Sequence, residues 1–164
     1  MYQLQSKLVW LLWWMLIAFI PLFSIYGRSL QYGLTQQISR QQLVLIFAVV
    51  LISMSLAAGI SLVKRHGWQQ AWHLTWFAAL FVVVPFYVPL VEERIHFILF
   101  GTFGFLTLLI YPYLIGFVIC IAVAGMDELL QYALPDRVGD WRDVMFNVLA
   151  SSGGALFALV MKGR

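Results

Sequence analysis

The stretch Met126–Asn147, MDELLQYALPDRVGDWRDVMFN, holds five of the chain's seven acidic residues together with Arg137, Arg142, Gln131 and Asn147. An arginine such as Arg137 grips a phosphate or carboxylate through a planar fork of N–H donors. Glu128, Asp143 and the nearby His96 are groups that move protons in general acid–base catalysis. Gln131, Asp140 and Asn147 add hydrogen-bonding groups able to orient a ligand. No nucleophile stands out. Ser151 and Ser152 fall deep in the following apolar run without an evident base, which argues against a serine hydrolase. Glu93-x-x-His96 has a ligand spacing used in helix bundles, and Glu128 and Asp143 would complete an alternative metal set. One such pair is common by chance, so no metal and no cofactor is expected.

These groups fall into stripes. At about 100° per residue, Asp140, Asp143, Asn147, Ser151 and Gly154 share an arc of roughly 80° on one helix. Glu128 and Gln131 share a second face, and Glu92 and His96 a third. Each stripe also has a purely structural reading. Asp140 caps a helix and Asp143 complements its dipole. Asn147, Ser151 and Gly154 are close-packing positions between helices. Arg137 clamps Glu128 or Asp143, and His96 is a satisfied interface histidine. None of these readings explains glutamate, glutamine, histidine, arginine and two aspartates at one depth. Ionisable groups gathered inside a membrane mark a working site.

The elements that must position them are membrane helices. The 164 residues are 63% hydrophobic and 10% charged, with net charge +3 and one cysteine, Cys120. Mean hydropathy is +0.90. A soluble domain carries about 25% charged residues, so an integral membrane protein is expected. No internal disulfide can form, no zinc spacing is present, and no nucleic-acid partner is expected. The apolar run after Lys7 lacks a small-residue cleavage site, and Trp10, Trp13 and Trp14 resemble interfacial anchors. It reads as a retained helix.

A spanning helix needs about 20 mostly apolar residues. The predicted spans are Leu8–Tyr26, Leu43–Val63, Trp72–Leu90, Ile95–Tyr111, Tyr113–Leu130 and Val144–Met161, an all-α polytopic membrane protein. The fourth and fifth are short and meet in a tight hairpin at Pro112. The glutamine-rich linker 27–42 is expected on the membrane surface. Residues 1–71 form a two-helix membrane segment, integrated with the helical region 72–164 into one membrane domain. Six spans put both termini on one side. The lysine–arginine rule ties, but all seven acids fall on the other side. Cytoplasmic termini and an outer-face acidic cluster in a bacterial inner membrane are therefore expected. A small transporter is disfavoured, because no span is broken in mid-membrane apart from Pro85 and Pro89 near the end of the third, and no second half matches the first.

Glu128-x-x-Gln131, Arg137, Asp140, Asp143, Asn147 and Gly154, preceded by the His96 helix HFILFGTFGFL, resemble the signature of VanZ-like membrane proteins. The resemblance covers roughly residues 90–158, and the first two spans carry no recognisable part of it. The family usually has Asp-Lys four and three residues before the histidine, where this chain has Glu92 and Glu93. The resemblance implies a polytopic membrane protein of the cell envelope. The family's namesake is associated with low-level resistance to the glycopeptide teicoplanin.

Two functional readings follow. One is a pocket that binds or acts on a lipid-linked envelope precursor or a glycopeptide. Glu128, Asp143 and His96 would supply acid–base chemistry there, and Arg137, Gln131, Asp140 and Asn147 would hold the ligand. The other is a non-enzymatic accessory or scaffold protein whose polar cluster is structural. Expected partners are membrane lipids, the envelope ligand and a membrane protein.

Overall fold

The computed structural model describes residues 2–88, 93–135 and 140–163, with side chains from residue 6 onward. Among the described residues the main helices are α1 (Tyr2–Gln37), α2 (Arg40–His66), α3 (His73–Tyr87), α4 (Arg94–Ile110), α5 (Tyr113–Ala133) and α6 (Trp141–Lys162), with a short 3-10 turn at Trp68–Gln70. No strand occurs among the described residues. The segments Ser6–Gln37, Arg40–His66, Tyr113–Ala133 and Trp141–Lys162 are long and apolar enough to cross a membrane, while α3 and α4 are shorter apolar helices. Leu8, Met15, Val49, Leu56 and Val118 lie exposed on the outer surface. On a membrane protein, such a surface meets lipid.

The spans expected at Leu43–Val63 and Val144–Met161 begin three residues earlier, at Arg40 and Trp141, and three further segments differ from the sequence-based expectation. The linker after Tyr26 is not a surface loop, because α1 runs on to Gln37. That stretch contains no proline and holds three glutamines and two leucines, which are good helix formers. The break comes only at Ser39, which starts α2 with a capping box: its hydroxyl accepts from the Gln42 N–H, and the Gln42 side chain accepts from the Ser39 N–H. At 36 residues, α1 is about 54 Å long, well beyond the roughly 30 Å hydrocarbon layer. Pro21 also lies inside α1, so proline within a span is not confined to the third.

The third span is shorter than expected and contains a π-helical turn, Ala79–Val83. Pro85 follows at once and lacks the N–H that a regular turn would supply. Pro89 lies outside the described residues. The fifth span is longer than expected, continuing to Ala133. The hairpin between α4 and α5 turns at Pro112, as expected.

α4 is the central helix. Phe97, Phe100 and Phe103 are all buried along it. Its tightest neighbour is α6. A methyl group built on Gly154 would lie 1.9 Å from the Gly101 carbonyl oxygen, and one on Gly104 would lie 1.9 Å from the Ser151 carbonyl oxygen. Backbones this close are the usual result of small residues at a membrane helix contact. α1 is tied to the same helix by the Trp13 indole N–H, which donates to Thr107 Oγ1 at 2.9 Å. Trp13 also stacks on Phe103. At the terminal end of the bundle, Lys162 donates to the Leu108 carbonyl, and His66 Nε2 lies 2.9 Å from the Met161 carbonyl oxygen.

Candidate functional site

At the opposite end, the second half of α1, the first turns of α2, the starts of α4 and α6 and the end of α5 converge. The start of α6 is set locally. The Asp140 side chain accepts from the Arg142 N–H at 2.9 Å, which caps the helix. Asp143 follows in the first turn, where the helix dipole favours a negative charge.

The deeper part of the cluster is closed. Asp127, Glu128 and Gln131 are 4%, 6% and 3% exposed. The Gln131 amide donates to Asp127 Oδ2 at 3.2 Å and to Glu128 Oε1 at 3.3 Å. The Ser24 hydroxyl of α1 donates to Asp127 Oδ1. Glu128 reaches across to the start of α6, accepting the Asp140 backbone N–H at 3.3 Å. Buried carboxylates are tolerable only when donors satisfy them, and these bonds join α1, α5 and α6.

Above that layer lies a cleft of about 560 Å³, within the range of small-molecule sites. On the α4–α6 side it is lined by Glu93, His96, Gln131, Asp140, Arg142 and Asp143. On the α1–α2 side it is lined by Arg28 and Gln31 with Phe23, Leu34, Leu43 and Phe47. His96 Nδ1 lies 2.8 Å from Oδ1 of Asn147, which is fully buried behind it. With Oδ1 facing the ring, the contact is a hydrogen bond in the tautomer that carries its proton on Nδ1, and in that tautomer Nε2 keeps its lone pair. Arg142 Nη2 reaches Glu93 Oε1 at 3.4 Å, and its Nε lies 3.7 Å from Asp140 Oδ2. With the Arg142 side chain half exposed, these pairs are weak, so Arg142 can turn to a ligand at little cost.

The candidate residues thus divide. His96, Gln131, Asp140 and Asp143 line the cleft, while Glu128 and Asn147 stand behind its wall. Arg137 and Glu92 lie outside the described residues. Five participants were missed from the sequence: Ser24, Asp127, Arg28, Gln31 and Arg142. Two left a signal. Asp127 stands four residues before Gln131 and so shares its face, and Ser24 is the lone hydroxyl in the apolar run Leu8–Ile25.

A bundle of apolar helices with a lipid-facing exterior and a polar cluster at one end defines an integral membrane protein. The VanZ/LLP1 family model matches residues 7–162, and the chain belongs to that family. The match takes in α1 and α2, where the sequence showed no recognisable part of the pattern. No curated protein and no solved structure matches the chain. A role in the cell envelope and an association with teicoplanin resistance are consistent with the family.

Proposed function

We propose that the cleft binds the headgroup of an amphipathic envelope ligand, either a lipid-linked glycan or a glycopeptide-type molecule, at the outer face of the bacterial inner membrane. The carrying observation is the two-sided lining of one cleft. Its α4–α6 wall is polar apart from Ile95, and its α1–α2 wall sets Phe23, Leu34, Leu43 and Phe47 among Arg28, Gln31 and Thr35. A ligand with a sugar or phosphate head and an apolar tail matches both walls. Arg28 and Arg142 hold its negative charge, Gln131 and Asp140 its hydroxyls, and His96 with Asp143 moves any proton that is transferred.

The buried bonds of Glu128 favour a different role for that residue. It holds the start of α6 and the Gln131 amide, so it positions the wall rather than touching the ligand. The scaffold reading thus applies to the lower layer and the pocket reading to the upper one. The test is Asp143→Asn in a teicoplanin-susceptible host expressing the chain. Unchanged membrane abundance with loss of the resistance conferred by the wild type supports the pocket. Unchanged resistance at unchanged abundance contradicts it.

A further inference from the structure

Arg94 opens α4, yet it belongs to neither layer of the cluster. Glu93, Ile95 and His96 line the cleft, whereas Arg94, turned by about 100° from its neighbours, lies over the Phe86 ring of α3 with Cζ 4.8 Å from the centroid. It is only 6% exposed. Its Nε and Nη1 are closed off and have no hydrogen-bond partner among the described residues, while Nη2 is not among the closed-off atoms. Neither ion pair seen among the described residues involves it. The charged group acting on it is a second cation, Arg40 at the start of α2.

A buried guanidinium is costly unless an anion and hydrogen-bond acceptors satisfy it. Stacking on Phe86 uses the face of the guanidinium and leaves its edge donors to be met. The first turn of α4 adds to the demand. Glu93 makes no side-chain capping bond to it, and the turn contains no acidic residue, so the positive end of the helix dipole points to the same place. Two arginines and an uncapped helix start specify an oxyanion such as phosphate, which would meet Arg94 at Nη2, the guanidinium nitrogen that is not closed off.

We infer that Arg94, with Arg40 and the first turn of α4, binds the phosphate of a membrane lipid. A lipid is the source because the site opens beside an apolar surface. Val83 and Phe86 are 49% and 40% exposed on α3, which gives an acyl chain a track leading to the guanidinium. Arg94 also begins an apolar helix, and the ends of such helices meet the headgroup layer where basic side chains are favoured. This inference does not rest on the cleft reading, whose own test is at Asp143.

The experiment is native mass spectrometry of the purified full-length chain titrated with phosphatidylglycerol, diacylglycerol or inorganic phosphate. The wild type should retain phosphatidylglycerol in preference to diacylglycerol, and inorganic phosphate should compete poorly. Arg94→Gln should weaken phosphatidylglycerol binding by about tenfold, near 1.4 kcal/mol. Arg94→Lys, which keeps the charge and loses the planar guanidinium that stacks on Phe86 and carries Nη2, and Arg40→Gln, at an exposed position, should each weaken it by a smaller factor. Should Arg94→Gln not be recovered folded, the other two variants decide. Wild-type affinity in those variants would overturn the inference. So would equal retention of diacylglycerol, or competition by inorganic phosphate at concentrations equal to the lipid.

Discussion

Nδ1 of His96 lies 2.8 Å from Oδ1 of Asn147, joining α4 to α6 directly behind the cleft. Asn147 is fully buried, and its Nδ2 finds no partner among the described residues. An unsatisfied buried donor costs about 1–3 kcal/mol, so this asparagine is a poor choice for stability alone. Under the proposed cleft reading, its value lies in holding the imidazole at a fixed angle. Asn147→Leu should therefore hold stability within about 1 kcal/mol, because the relieved Nδ2 offsets the lost bond. Ligand binding in the cleft should fall. Thermal unfolding in detergent and ligand titration separate the two effects, and a large loss of stability with unchanged binding would make the bond structural.

The α4–α6 contact makes a sharper stability prediction. Gly154→Ala and Gly104→Ala each drive a methyl group into a backbone carbonyl, and overpacking of this kind costs roughly 1–3 kcal/mol or more. Gly125→Ala has open space around it within α5 and should stabilise by roughly 0.5–1 kcal/mol. The measurement is the thermal unfolding temperature of all three variants. Equal behaviour at positions 125 and 154 would contradict the helix contact.

Ser24 ties α1 to the buried acid layer through Asp127. Ser24→Ala removes one donor from a buried carboxylate and should cost about 1.5–3 kcal/mol. The cleft ligand should still bind once the protein is folded, because Ser24 lies outside the cleft lining. Folding yield and binding in the same preparation check this, and loss of binding at full stability would move Ser24 into the site.

Orientation is testable by labelling. Cysteine placed at Trp141, which is 82% exposed at the start of α6, in a Cys120→Ala background should react with an impermeant reagent from outside the cell. A cysteine at Lys64, near the opposite end of the bundle, should react only after the membrane is opened. The reverse pattern would invert the proposed topology.

Much of this architecture was legible from local sequence. Six apolar stretches set the helices, Pro112 set the hairpin, and the stripe from Asp140 to Gly154 foretold one polar, close-packed face. The extension of α1 was not legible, because a polar stretch with two glycines, Gly27 and Gly33, suits a surface loop as well as a helix. The tertiary partners were hidden for a related reason. Ser24 and Asp127 are 103 residues apart, and nothing in either segment names the other. Gly154 was recognised, but its counterpart Gly101 emerges only once α4 is laid against α6. The division between a closed layer and an open cleft depends on burial, so helical spacing could gather Glu128 with Gln131 but could not tell which of them faces a ligand.

The most direct test of the cleft is the binding of a polyprenyl-diphosphate-linked disaccharide to the purified full-length chain, comparing wild type with His96→Ala and Asp143→Asn. Saturable binding by the wild type should weaken by about tenfold or more in each variant, with the unfolding temperature within about 4 °C of wild type, a stability change near 1 kcal/mol. Equal binding by all three proteins, or loss of binding only where folding is lost, would contradict a ligand site and leave the cluster a structural one.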